Sequence, residues 1–302
     1  MRVASVLPSA TEIVHALGHG AELVARSAEC DYPAEVRQLP VVMRPRTLDS
    51  ERPSSEIDER VRAARSRGES LYHLDADLLR SVRPDLLLTQ NLCGVCSVTE
   101  EEVRDACARA GVHPRVVSLA PTNLEEVWDS LGTVAEALGD APAGWRLAKS
   151  IRARTAPGPA TGRNVTVVEW LDPPILAGLW TPDIVRAAGG DPVGPRSGEP
   201  GARCSWDDLV RATPDLVVVS PCSFSVARAA REIHESRELR AALARLRAPL
   251  GIYLADEAYF SRPGPRLADG VALVRAILAG ASPTGPMPVE VLNRSGMAEV
   301  GP

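Results

Sequence analysis

The sequence predicts an α/β protein of two Rossmann-like lobes with parallel sheets, joined by a long bridging helix, with a ligand cleft between the lobes. Three observations carry this expectation. Short apolar runs alternate with helical patterns, which implies parallel strands buried on both faces. That alternation occurs twice, in the same order, on either side of a mainly helical middle. The length of 302 residues suits two domains of roughly 100–200 residues each. The cleft follows because ligands of open parallel sheets sit beyond the carboxyl ends of the strands.

Taken in order, Arg2–Leu7 reads as a short strand, and Pro8-Ser9-Ala10-Thr11 leads into a helix that Ser9 or Thr11 can cap and Gly18 stops. Leu23–Arg26 is a second strand. Asp77–Arg83 is helical and precedes Pro84-Asp85 and the apolar run Leu86–Leu88. Glu100–Ala110 is a further helix. In the second half, Asn164–Trp170 is a strand and Pro182–Ala188 a helix stopped by Gly189; Asp207–Thr213 then leads to Pro214-Asp215 and the run Leu216–Val219. The two halves are an internal repeat. Ile184-Val185 follows Ile13-Val14 by 171 residues and Pro214-Asp215 follows Pro84-Asp85 by 130, so the first copy carries 41 additional residues, expected within Val42–Tyr72. Glu56-Ile57-Asp58 there opens a surface helix.

Between the copies, Thr122-Asn123-Leu124-Glu125-Glu126 is a strong helix start, followed after Gly139-Asp140 by a second helical stretch to Arg154. The expected organisation is an N-terminal lobe over 1–121, a helical bridge over 122–155, a C-terminal lobe over 156–280 and a flexible tail over 281–302.

A net charge of −5 supplies no basic footprint for nucleic acid. No run of about 18 apolar residues predicts a membrane span. The N-terminus shows no signal-peptide pattern, so the expected location is cytoplasmic, where thiols stay reduced. Its six cysteines then read as thiols or metal ligands. Cys93 and Cys222 follow equivalent strands of the two copies. Cys96 stands in Cys-x-x-Cys spacing with Cys93, a bite that lets two thiolates reach one metal, and Cys30 follows the second strand. These four are the candidate metal ligands, for an iron–sulfur cluster (a four-iron four-sulfur cluster among them) or zinc. Cys107 and Cys204 read as packing residues.

Five segments together resemble the helical-backbone substrate-binding proteins of metal-chelate transport, in the cobalamin-binding branch. They are Ser5-Val6-Leu7-Pro8-Ser9-Ala10-Thr11-Glu12, Glu29-Cys30-Asp31-Tyr32-Pro33, Pro84–Gln90, Glu169-Trp170-Leu171-Asp172-Pro173-Pro174 and Tyr259–Arg266. The resemblance covers about residues 2–280. It implies two alternating lobes bridged by one long helix, little hinge motion and a ligand held between the lobes. Transport members carry an export signal or lipid anchor; the cysteine-rich sequence with neither reads as a cytoplasmic relative.

Further site candidates are the loop residues Trp170 and Trp180, whose indoles suit a flat ligand face, with Asp172, Tyr259, Phe260, Ser9 and Thr11 as other ligand contacts. Glu169 and Arg262 are the candidate acid–base and anion-binding groups. Two functions follow. In the first, a cysteine-ligated centre beside a small organic ligand supports sulfur transfer or a lyase step. In the second, the protein is a non-enzymatic carrier of cobalamin or another metal chelate. Oligomeric state is not readable from the sequence.

Overall fold

The computed structural model describes residues 1–46, 51–91, 98–283, 289–292 and 298–299. Its first half runs β1 (Val3–Ser5), α1 (Pro8–Ala16), β2 (Leu23–Ser27), β3 (Val41–Pro45), α2 (Ser54–Ser66), β4 (Tyr72–Leu74), α3 (Ala76–Val82), β5 (Leu86–Gln90), α4 (Glu100–Ala110), β6 (Arg115–Leu119), α5 (Leu124–Leu138) and α6 (Ala141–Arg154). The second half runs β7 (Asn164–Leu171), β8 (Pro174–Leu176), α7 (Thr181–Ala188), β9 (Asp191–Pro192), β10 (Ala202–Arg203), α8 (Trp206–Ala212), β11 (Leu216–Val219), α9 (Val226–Glu235), α10 (Arg237–Ala244), β12 (Ile252–Ala255), α11 (Leu267–Leu278), β13 (Val289–Leu292) and β14 (Ala298–Glu299). The α/β class with two sheets is therefore as the alternation implies.

Two compact units result. Unit 1 comprises Met1–Asp49, Glu59–Pro121 and Glu125–Arg152, and unit 2 comprises Ser50–Asp58, Thr122–Leu124 and Ala153–Pro302. The described strands of unit 1 are ordered β4-β3-β2-β1-β5-β6, all parallel except for the β3–β4 pair. Unit 2 has the order β10-β8-β7-β11-β12-β13-β14, with β9 beside β7; its core β7-β11-β12 is parallel and both its edges are antiparallel. The apolar runs Leu86–Leu88 in β5 and Leu216–Val219 in β11 are at most 1% exposed, as strands covered on both faces must be.

The repeat is visible in atomic detail. Helices α3 and α8 both end on a non-glycine residue in the left-handed region, Arg83 at φ 41° and Thr213 at φ 45°. Each is followed by Pro-Asp, and each Asp pins the start of the neighbouring strand. Asp85 accepts the Arg2 N–H at 2.8 Å and Asp215 accepts the Asn164 N–H at 2.8 Å. Both carboxylates thus satisfy a strand-end donor with a charge-assisted bond. Asp85→Ala and Asp215→Ala are each expected to lower stability by ~1–2 kcal/mol, read by chemical denaturation.

Several local expectations are corrected. Neither Ser9 nor Thr11 caps α1: Leu7 is the N-cap residue and Pro8 opens the helix, because proline's fixed φ suits the first helical position. The helical middle is, as the sequence implies, two helices, of 15 and 14 residues, broken where Gly139 takes φ 81°. They pack so closely that a Cβ on Gly144 would lie 2.4 Å from Ala135 Cβ, and residues 125–152 belong to unit 1. The stretch 281–302, expected as a tail, supplies β13, which pairs antiparallel with β12 from Ile252↔Leu292 to Ala255↔Val289. A paired edge strand satisfies backbone groups that a tail leaves to water.

Candidate functional site

In unit 2, the ends of the central parallel strands and the loops after them bring several chemically active side chains together. Glu169 and Trp170 are not loop residues but lie at the end of β7, where Trp170 pairs with Ile175 of β8, and Asp172 stands just beyond it; beyond β11 stand Ser220-Pro221-Cys222-Ser223; beyond β12, Asp256 and Glu257. Backbone bonds hold the loops in register, Ser220 N–H to Val168 O at 2.8 Å and Cys222 N–H to Glu169 O at 3.0 Å. Glu257 accepts the Ser223 N–H at 2.5 Å and pairs with Arg262 at 2.5 Å. The two side chains of that pair are only 13% and 11% exposed. Burial pushes the Glu257 carboxyl up, while the Arg262 guanidinium and the Ser223 N–H pull it down. Arg262 is therefore charge-balanced within its own unit, which weighs against its reading as a free anion handle. The Glu169 carboxylate lies against the Gly201 backbone, so that a Cβ there would fall 2.0 Å from its Oε1.

The aromatic wall is rebuilt by the structure. Trp180 is 6% exposed and donates its indole N–H to Phe260 O at 2.5 Å; Tyr259 and Phe260 are 1% and 2% exposed. These three fill the core beneath the loop, because α11 approaches closely enough that a Cβ on Gly270 would lie 2.2 Å from Tyr259 O. Trp170 remains half-buried, with Phe224 as its partner at a centroid distance of 5.2 Å. The Arg228 guanidinium sits over the other ring of that pair, 4.4 Å from the Phe224 centroid.

Asp172 is exposed, and desolvation first, then the negative charges of Glu232 and Asp58, push its carboxyl above the usual range. A carboxyl raised on folding favours the protonated native state. Its penalty is therefore absent below the ordinary carboxylate pKa and fully present above the raised one. Asp172→Asn is expected to stabilise the protein at pH 7 by under ~1 kcal/mol, since an exposed charge is screened. The gain should vanish in acid, as compared by denaturation at both pH values.

In unit 1 the corresponding strand ends gather hydroxyls and a thiol. Thr11 Oγ1 is 2.8 Å from Ser5 Oγ and 3.1 Å from Cys30 Sγ. Ser9, Thr11 and Cys30 are each at most 1% exposed. Tyr32, two residues beyond Cys30, is 47% exposed. Sequence reading passed over it, although an aromatic beside proline in a strand-end loop is a usable signal. Cys93 and Cys96 lie outside the described residues. Cys222 is half-buried in unit 2, whereas Cys30 belongs to unit 1. Among the described residues no three His, Cys, Asp or Glu form a metal-holding group. Cys107 is buried in α4, where burial raises its thiol pKa, and Cys204 Sγ lies 3.7 Å from Pro174 O.

Neither a protein-family model nor a curated protein matches the chain. Solved structures do. A periplasmic heme binding protein from Pseudomonas aeruginosa superposes with a TM-score of 0.64 at 20% identity, over 94% of this chain and 95% of that one. This chain has its fold. The periplasmic vitamin B12 binding protein BtuF of Vibrio cholerae gives a TM-score of 0.61 at 18% identity, over 92% and 96% of the two chains. An ABC-type Fe3+-hydroxamate transport system from Saccharomonospora viridis gives 0.64 at 17%, over 93% of each. The shared architecture is the one the repeated strand and helix pattern implies. Among the described residues no helix is long and apolar enough to cross a membrane.

Proposed function

We propose that the protein is a non-catalytic binding protein for a metal chelate of the heme, cobalamin or ferric-hydroxamate kind, contacted in unit 2 by Trp170, Asp172, Cys222 and Ser223. The observation that carries this reading is the half-buried Trp170, backed by Phe224 and standing at the carboxyl edge of the parallel strands. An indole fixed on one side by a second ring offers its remaining face as a rigid, low-entropy contact. Solved binding proteins for heme and vitamin B12 and an Fe3+-hydroxamate transport protein have the same fold. Catalysis by Glu169 and Arg262 has less support: one carboxylate packs on backbone and the guanidinium is already paired.

The test is titration with hemin, cyanocobalamin and a ferric hydroxamate, followed by absorbance and tryptophan quenching. At least one is expected to bind with micromolar or tighter affinity, weakened about tenfold or more in Trp170→Ala. No binding by any of the three sinks the reading.

The iron–sulfur centre is the second reading. It is favoured by the Thr11 hydroxyl 3.1 Å from the Cys30 sulfur, since hydrogen bonds to sulfur tune cluster thiolates. Protein purified without air should then carry iron and acid-labile sulfide in matching amounts, lost in Cys93→Ala and Cys222→Ala. Protein with neither element leaves the binding protein alone.

A further inference from the structure

The additional residues of the first repeat contain a segment whose place the repeat does not explain. Residues 51–58, of which 54–58 are the first turns of α2, belong to unit 2, whereas the rest of α2 from Glu59 onward is counted with unit 1. Five polar contacts hold them there. Ser54 N–H donates to Glu232 Oε1 at 2.8 Å, and the Ser54 hydroxyl donates to the same oxygen. Arg228 Nη2 donates to Arg52 O at 2.5 Å. Arg203 pairs with Asp58 on the other side, with Nη1 to Oδ2 at 3.1 Å, and Arg231 pairs with Glu51. The anchor itself is an ion pair buried on α9: Arg228 and Glu232 lie 2.8 Å apart with side chains 8% and 9% exposed. A buried ion pair is a weak source of stability compared with apolar side chains of the same volume, so its role is better sought in what it orients.

The Ser54 carbonyl accepts the Trp170 indole N–H at 3.2 Å, and Arg228 covers Phe224, the ring that backs Trp170. We propose that residues 51–58 are a strap, fastened to α9 by Arg228 and Glu232, that sets the orientation of Trp170 for ligand binding. Ser54, Arg228 and Glu232 are thus positioning residues: they act on the ligand through the indole. This rests on the binding role given to Trp170 above. The strap fastens one edge of the indole through its N–H, the Phe224 ring packs against it, and what is left is the face offered to the ligand.

The test reads the indole directly. The Trp170 Nε1–H signal is identified in a 1H–15N spectrum by its absence from Trp170→Phe, and its exchange with water is measured. In the wild type it is expected to exchange slowly. Glu232→Gln removes the charge pair and Ser54→Ala removes one donor while leaving that pair intact. Each is expected to speed Trp170 exchange and weaken chelate binding by about tenfold, the loss of one hydrogen bond's net contribution. Ser54→Ala should do so with its unfolding midpoint near that of the wild type, which guards against a Glu232→Gln variant that fails to fold. Unchanged exchange in both variants overturns the strap. Faster exchange with unchanged affinity overturns the positioning role, because a strap serving stability alone behaves that way. Slow wild-type exchange with no chelate bound supports the clamp on Trp170 and overturns the binding reading on which its purpose rests.

Discussion

Glu232→Ala is expected to lower the stability of the protein by ~3–5 kcal/mol. The wild-type carboxylate accepts from the Ser54 N–H and hydroxyl and faces the Arg228 guanidinium. Its removal takes the facing carboxylate from a guanidinium 8% exposed and the acceptor from two Ser54 donors. The penalty comes from the desolvated groups left behind and not from the worth of the pair. The double variant Arg228→Met, Glu232→Leu is therefore expected to recover most of the loss, since apolar side chains of similar volume replace a buried pair at little cost. Equilibrium urea unfolding of the wild type, both single variants and the double variant closes the cycle. A double variant as unstable as Glu232→Ala would contradict this account.

Gly178→Ala is expected to lower stability by about 3 kcal/mol, the upper end for an overpacked site. A Cβ at this position would fall 2.4 Å from Glu199 O, 2.5 Å from Pro200 C and 2.6 Å from Gly201 N. All three are backbone atoms, and they cannot swing aside as a side-chain end can. The crossing is held by two backbone bonds, Leu179 N–H to Glu199 O at 2.6 Å and Gly198 N–H to Leu179 O at 3.0 Å. Pushing it apart also disturbs Trp180 and the Gly201 backbone against which Glu169 rests. The control is Gly132→Ala in α5, where a Cβ meets nothing within 4 Å; alanine's better helix propensity there should add ~0.5–1 kcal/mol. Thermal unfolding of both variants distinguishes a steric effect from a general intolerance of glycine replacement.

The partner residues of this chemistry were only partly visible in the sequence. Arg228 and Glu232 stand four apart in a helix whose buried positions also include Val226, Ala229 and Ile233. An oppositely charged pair on the apolar face of a helix was a signal that something polar covers it. What covers it is separated by 178 residues from Glu232, a distance at which no spacing rule operates. Cys30 and Cys222 show the converse. Their placement in loops after strands was legible, but they fall in different units, and convergence of thiols is a matter of loop geometry that residue spacing does not encode. Trp170 and Trp180 read alike as loop tryptophans, yet one is half-buried at the end of β7 and the other is buried with its indole N–H bonded to Phe260 O.

By itself, the sequence determined the class and the order of the elements. Continuous apolar runs such as Leu216–Val219 can be stable only as strands covered on both faces, and the paired Pro-Asp starts at 84–85 and 214–215 mark equivalent strands in two copies. These are local consequences of burial and of backbone donors that need partners, so they can be read from neighbouring residues. Only the tertiary structure decided which charges face each other across the chain, where the additional residues of the first copy come to rest, and which tryptophan is buried. Those outcomes depend on contacts between segments far apart in sequence, each settled by how closely the backbones approach and by the cost of leaving a buried charge or donor without a partner.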